Sequence, residues 1–202
     1  MITLEEKYSA GLVSQSFWFV EMKKIIKRMM EGKSEQEIKK LCIEENLFGT
    51  AKEYRARRMY GYIWSRLNRL DSTMIHLFDT SDLATQKLIN LIAILQGDRL
   101  FFEFIFEVYR EKVILGASEL NEFDLNIFFK NKEVQSEDVS KWTDRTKKRL
   151  GSAYFNFMMD ANLITIIDKK KIIAPPVLDV VLERYLEASG NEAITKAIKG
   201  VS

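Results

Sequence analysis

Residues 98–115, DRLFFEFIFEVYREKVIL, constrain the fold more than any other stretch of this chain. Read as a helix, the segment is apolar nearly all round, through Leu100, Phe101, Phe102, Phe104, Ile105, Phe106 and Val108. A helix without a polar face has to be enclosed by other elements, so this one is expected at the centre of a helical core. Its neighbours supply helices to enclose it: DLATQKLINLIAILQ precedes it and NEFDLNIFFKNK follows it. Only nine Gly and two Pro occur among 202 residues, which leaves few helix breakers, and the length is enough to bury a core without staples.

The N-terminal part reads as helices too. A first is expected from about Val13 to Glu31, with Phe17, Val20, Ile25 and Met29 on its apolar side and Gly32 as its stop. Ser34 with Glu37 three residues on forms a capping box for a short second helix that buries Ile38, Leu41 and Cys42. Thr50 then reads as the cap of a third helix of about twenty residues, TAKEYRARRMYGYIWSRLNRL. Helix, turn and basic helix is the layout of a helix-turn-helix unit.

The last third changes character. Ser136 is placed to cap a short helix ending near Trp142, and Thr143 a longer one reaching about Ala161, with Leu150, Ala153, Tyr154, Phe157 and Met158 facing inward. Asn162 stands where a left-handed stop is needed. The β-branched runs LITII and KIIA flank Asp168 and lysines as in a hairpin, and two helices followed by a hairpin make a winged helix. Pro175 and Pro176 close it, before an amphipathic helix from about Val177 to Leu186 and a polar tail. The fold expected is mostly α: a helical bundle with an N-terminal helix-turn-helix-like unit (residues 1–75), a central helical core (76–133) and a winged-helix-like C-terminal unit (134–202) carrying a small β-hairpin.

A net charge of +2 implies nothing by itself, but the charge is segregated. Between residues 50 and 70, Lys52, Arg55, Arg57, Arg58, Arg66 and Arg69 face a single acid, Glu53. Arg55, Arg58, Tyr62, Arg66 and Arg69 fall at spacings of three, four, four and three, which makes one stripe roughly 21 Å long at ~1.5 Å per residue. Guanidinium groups in such a row pair with phosphate oxygens in a forked geometry that lysine lacks. The competing reading gives these arginines, Arg66 and Arg69 above all, ion-pair roles inside the fold. Between residues 141 and 149, Lys141, Arg145, Lys147, Lys148 and Arg149 face only Asp144. Arg145, Lys148, Ser152 and Asn156 form a second helical row, and Lys169, Lys170 and Lys171 are placed at the hairpin tip. A solvated charge cluster is the competing reading there.

Catalytic chemistry is poorly supplied. His76 is the sole histidine and Cys42 the sole cysteine, which rules out the common zinc sites, and His76 reads as a helix-end or core residue. No glycine-rich phosphate loop is present. Asp168-Lys169-Lys170 with Asp160 upstream resembles a nuclease fragment only weakly, and a hairpin turn accounts for it. No cofactor or metal is expected. Cys42, expected as a buried reduced thiol, fits a cytoplasmic setting. Glu5, Glu6 and Lys7 interrupt any leader, and the uncharged stretches are well short of the ~20 apolar residues of a membrane span.

Three stretches in order, EENLFGTAKEYRARRMYGYIWSRLNRL, DLATQKLINLIAILQGDRLFFEFIFEVYREK and DVSKWTDRTKKRLGSAYFNFMMDANLI, resemble the landmarks of the BrxA family of bacteriophage exclusion (BREX) defence systems. The resemblance covers about Tyr8 to Ile167 and rests on order and spacing. Where the family pattern has Gly-Leu and an apolar residue, this chain has Asn162-Leu163-Ile164, which keeps the stop. The resemblance implies a cytoplasmic, mostly helical, non-enzymatic protein that binds double-stranded DNA beside other defence components. The family's likeness to NusB-type antitermination proteins points instead to RNA. A third expectation is an adaptor that docks an acidic partner protein.

Overall fold

The computed structural model describes residues 7–201. The segment holding Glu5 and Glu6, read above as interrupting a leader, lies outside the described residues. In chain order the elements are a 3-10 turn (Gly11–Ser14), α1 (Phe19–Met30), α2 (Glu35–Ile43), α3 (Glu53–Leu67), α4 (Ser72–Thr80) and α5 (Leu83–Leu95). There follow α6 (Arg99–Phe104), a π-helical turn (Ile105–Tyr109), α7 (Arg110–Ile114), α8 (Glu122–Gln135), α9 (Glu137–Ser140) and α10 (Asp144–Asp160). The strands β1 (Ile164–Ile167) and β2 (Lys170–Ile173) precede α11 (Val180–Ala188) and α12 (Glu192–Lys199). The protein is therefore mostly helical, with a small two-stranded antiparallel sheet. It divides into two compact units, one spanning Phe17–Ala93 and the other combining the segment up to Ser16 with the chain from Ile94 onward.

Within Phe17–Ala93, the single helix expected from Val13 to Glu31 is broken. Gln15 is extended, Trp18 takes a left-handed conformation at φ 47°, and α1 starts only at Phe19. The cause is tertiary. The Phe17 carbonyl accepts hydrogen bonds from Arg66 Nη1 at 2.7 Å and Asn90 Nδ2 at 2.8 Å, and both donors are buried. A carbonyl held that way does not serve a helix ladder. Downstream the local signals hold: Gly32 ends the helix at φ 79°, and Ser34 and Glu37 exchange their reciprocal capping bonds at the start of α2. Thr50 does not cap α3. Its N–H goes to Asn46 Oδ1 at 2.7 Å, and Lys52 occupies the cap position without a side-chain bond. The sequence reading missed α4, which Asp71 caps by accepting from Met74 N and which buries Met74, Ile75 and Phe78. His76 sits in mid-helix on its exposed face, neither at an end nor in the core.

In the other unit, the stretch 98–115 runs through α6, the π turn and α7, with Leu100, Phe101, Phe104, Ile105 and Tyr109 wholly enclosed. Tyr154 of α10 packs into this core, its ring 4.6 Å from Phe101 and 5.5 Å from Phe104. Its hydroxyl meets no hydrogen-bond partner among the described residues, and burial drives its pKa well above the ordinary phenol value. A buried hydroxyl without a partner is a cost, so Tyr154→Phe is expected to hold stability constant or raise it by up to about 1 kcal/mol in urea unfolding. A loss larger than that would reveal a bond to this hydroxyl. The tail read as polar carries α12, whose Ile194, Ala197 and Ile198 are buried on the side packed against the π turn and α7. Asp179 caps α11, accepting from Val181 N and Leu182 N, so that helix begins three residues later than its apolar spacing suggests.

A buried polar cluster at the π turn was also absent from the sequence reading. Lys132 of α8, 2% exposed, lies 2.6 Å from both Glu103 and Glu107. Glu103 also pairs with Arg99 at 2.7 Å and accepts from the Tyr8 hydroxyl at 2.8 Å. Burial pushes the Glu103 carboxyl up, but Lys132, Arg99 and Tyr8 outweigh it and hold the group below the ordinary carboxylate range. Cys42 is buried, and its thiol is pushed up to about 12 by that burial.

Candidate nucleic-acid interface

The first basic surface belongs to α3 in the unit Phe17–Ala93. Ala56, Ile63 and Leu67 turn inward and fix the helix, which leaves Lys52, Arg55, Arg57 and Arg58 exposed around its first two turns. Arg55 Nε lies 3.4 Å from the hydroxyl of Tyr54, itself 63% exposed. Arg57 is answered by Glu53 at 2.7 Å, an exposed i,i+4 pair of a kind worth a few tenths of a kcal/mol, about 0.3–0.5. The Arg58 guanidinium lies 5.9 Å from the centre of the Tyr62 ring.

The expected five-residue row does not continue outward. Tyr62 is half-buried and stacks on Trp18 at 5.7 Å, and Arg66 is only 2% exposed, 5.4 Å from the Trp18 ring centre while donating to Phe17. The row runs along the border between the wet and dry faces, and the turn at 17–18 covers its lower half. Burial first, then the nearby Arg69 charge, lowers the Arg66 pKa to about 9, so it stays charged at neutral pH. Arg66 is a structural donor in this fold, and Tyr62 is half-enclosed; neither extends an outward cationic stripe. The acceptor seen for the buried Arg66 Nη1 is the backbone carbonyl of Phe17. Arg69 lies just past the end of α3, exposed, with Nη1 on Ser65 O at 2.6 Å.

The second surface is built by α10 and the hairpin. Thr143 caps α10 through Thr146 N, and Leu150, Tyr154, Phe157 and Met158 anchor its inner face. Gly151 permits α8 to approach: a Cβ there would stand 2.0 Å from Leu125 Cδ2. The outward row Arg145, Lys148, Ser152 and Asn156 is exposed along its length. Arg145 and Lys148 meet no carboxylate among the described residues, while exposed Arg149 reaches Val13 O at 3.3 Å. Lys141 is paired with Glu137 at 2.7 Å. Lys147 departs from the expectation: Glu133 and Asp144 both hold its half-buried ammonium and together raise its pKa.

The hairpin pairs Ile164 with Ile173 through Ile167 with Lys170, and its two-residue loop, Asp168-Lys169, has both residues left-handed at φ 49° and 64°. That is the geometry whose twist matches the flanking strands. Residues 118–120 line the outer edge of β2, with Leu120 N on Lys171 O at 2.9 Å. Lys169 is exposed at the tip without a carboxylate partner among the described residues. Lys170, also exposed, pairs loosely with Glu119 at 3.2 Å. Lys171 is not at the tip's free surface: it is half-buried, with its ammonium 4.4 Å from the centre of the Phe155 ring.

Asp168 belongs to the hairpin turn, as its nuclease-like neighbourhood allowed. Among the described residues no group of three or more His, Cys, Asp or Glu is placed to hold a metal ion, and no helix is long and apolar enough to cross a membrane. An open groove of about 640 Å³ lies between α8 and α10, floored by Leu125, Phe129 and Phe155 and edged by Phe123 and Ile127. The spacing of α8 gave no hint of it, because the groove depends on how closely two helices meet at Gly151.

Comparison with known proteins places this arrangement. A crystal structure of an uncharacterized protein from Magnetospirillum magneticum superimposes with a TM-score of 0.81 over 96% of this chain and 100% of that one, at 15% identity, so the two share a fold. The BREX protein BrxA of Bacillus cereus (strain H3081.97) is 34% identical over 187 residues, which is 93% of this chain and 94% of that protein. The family model described as BrxA matches residues 6–190. The order of the three landmarks, a relative of that identity along almost the whole chain and a family match of that extent agree: the chain belongs to the BrxA family.

Proposed function

We propose that this BrxA-family chain is a non-enzymatic accessory protein of a BREX-type phage-defence system in the cytoplasm, and that it binds double-stranded DNA mainly through phosphate contacts. The observation that carries the reading is the set of exposed cations without a carboxylate partner among the described residues: Lys52 and Arg55 on α3, Arg145 and Lys148 on α10, Lys169 on the hairpin. In a chain where Lys147 and Arg57 have found acids, cations left open on two elements favour an external polyanion. In this reading α2 and α3 act as a helix-turn-helix pair, and α9, α10 and the hairpin as a winged helix that turns α10 toward a groove. Phosphate contacts carry no sequence information, so binding is sequence-neutral.

A duplex titration at several salt concentrations tests this. Neutralising about six phosphates gives a log–log slope of about −5, and Arg55→Ala with Arg58→Ala flattens it by about 2. Absence of binding at low salt, or an affinity indifferent to that pair, removes the reading; a preference for RNA in competition replaces duplex DNA with the RNA alternative. The groove between α8 and α10 favours one second reading, an adaptor within the defence complex, because its rim residues Phe123 and Ile127 are 69% and 43% exposed. Purification from cells with nuclease treatment separates the two: an adaptor keeps its protein partner after the nucleic acid is gone.

A further inference from the structure

The end of the hairpin is apolar where a solvent-facing hairpin would be polar. Ile166 and Ile167 are 50% and 54% exposed, and they are the last two residues of β1 before the turn. Their partners across the ladder are Lys171 and Lys170. Side chains alternate between the faces of a strand, so the last two rungs put one isoleucine on each face of the ribbon, each opposite a lysine. Lys169 occupies a left-handed turn position at φ 64°, where glycine or asparagine is the ordinary choice, and shares the outermost point with Asp168. The result is a narrow ribbon end with an apolar edge on either side, Asp168 and Lys169 together at its tip, and Lys170 and Lys171 behind them.

We propose that this ribbon end is a wedge for duplex DNA: Ile166 and Ile167 enter the minor groove and part a base step, Lys169 meets the flanking phosphate, and the bound duplex is bent. The inference rests on the DNA-binding reading above and deepens it, since phosphate contact alone requires no bend. Charge complementarity selects DNA as the occupant. The hairpin itself carries Lys169, Lys170 and Lys171 against the acid Asp168, so its apolar edge belongs to a ribbon of net positive charge. Isoleucine is among the side chains that insert between base steps, and such wedges kink a duplex by roughly 20–90° toward the major groove. Pyrimidine–purine steps yield most easily, which makes a TA step the favoured point of entry.

The experiment uses the full chain and a 30-base-pair duplex (about three helical turns) with a central TA step and a donor and acceptor at its two ends. Energy transfer reports bending, and anisotropy on the same sample reports binding. At saturating protein the transfer efficiency rises. With Ile166→Thr and Ile167→Thr, which keep β-branched residues in the strand, it returns to the value of free DNA while the protein still binds. Ile167→Phe, a larger wedge, raises the efficiency above that of the unaltered chain. A duplex that is bound yet keeps its free-DNA efficiency overturns the wedge and leaves the DNA reading standing, as does equal bending by the threonine variant. A duplex that is not bound at all removes both.

Discussion

Replacing Glu103 by Leu is expected to lower stability by about 3–5 kcal/mol, the cost of breaking a buried pair by removing one partner. Glu103 is the hub of the cluster at the π turn: Lys132 and Arg99 both pair with it, and the Tyr8 hydroxyl donates to it. The loss strands an ammonium that is 2% exposed. Glu107, the other partner of Lys132, is half in water and compensates only in part. For a chain of this size the melting temperature should fall by roughly 6–20 °C. Replacing both partners, Glu103→Leu with Lys132→Met, should cost less than the sum of the two single changes, because neither charge is then buried alone. Additive losses would show that the pair is not coupled.

The same cluster gives a pH dependence with a definite sign. The Glu103 carboxyl is depressed below its ordinary 4.5 in the folded state, so its contribution is fully present above that value. It is lost as pH falls through the lower folded value, and the acid limb of the stability curve should be shallower in Glu103→Leu than in the unaltered chain.

Replacing Arg145 and Lys148 together by Ala is expected to reduce the salt slope of duplex binding by about 2 and the affinity by roughly 60-fold at 0.1 M salt, if each makes one phosphate contact. Their exposed side chains lie one turn apart on α10, and no carboxylate among the described residues competes with phosphate for them. Lys147, beside Lys148 in sequence, is the internal control. Glu133 and Asp144 already hold its ammonium, and phosphate would have to displace both. Lys147→Ala should leave the slope unchanged, and parallel titrations of the two variants read the difference. Equal losses from both would show that binding follows total charge and not the open cations.

Much of the local structure was legible because it depends on near neighbours. The capping box at Ser34, the Thr143 cap, the left-handed stop at Asn162 and the hairpin around Asp168 each involve residues a few positions apart, and each appears as the spacing implied. The enclosed stretch 98–115 was equally plain, since an all-round apolar helix has one place to go. Helix α4 was not legible for the opposite reason, being a short element whose apolar face has meaning only once a core exists to receive it.

Sequence by itself determined the helical class, those helix ends set by a local cap or stop such as Ser34, Thr143 and Asn162, and which elements carry positive charge, because these follow from periodicity, capping chemistry and residue identity. Only the tertiary structure decided which cations are open. Arg66 and Arg55 stand in one expected row, yet a backbone carbonyl at Phe17 takes Arg66 into the interior while Arg55 stays exposed without a carboxylate partner among the described residues. Lys147 and Lys148 are adjacent, and two acids from α8 and α10 claim one and leave the other. A side chain's charge is local information, but whether that charge is satisfied depends on groups brought near it by distant parts of the chain.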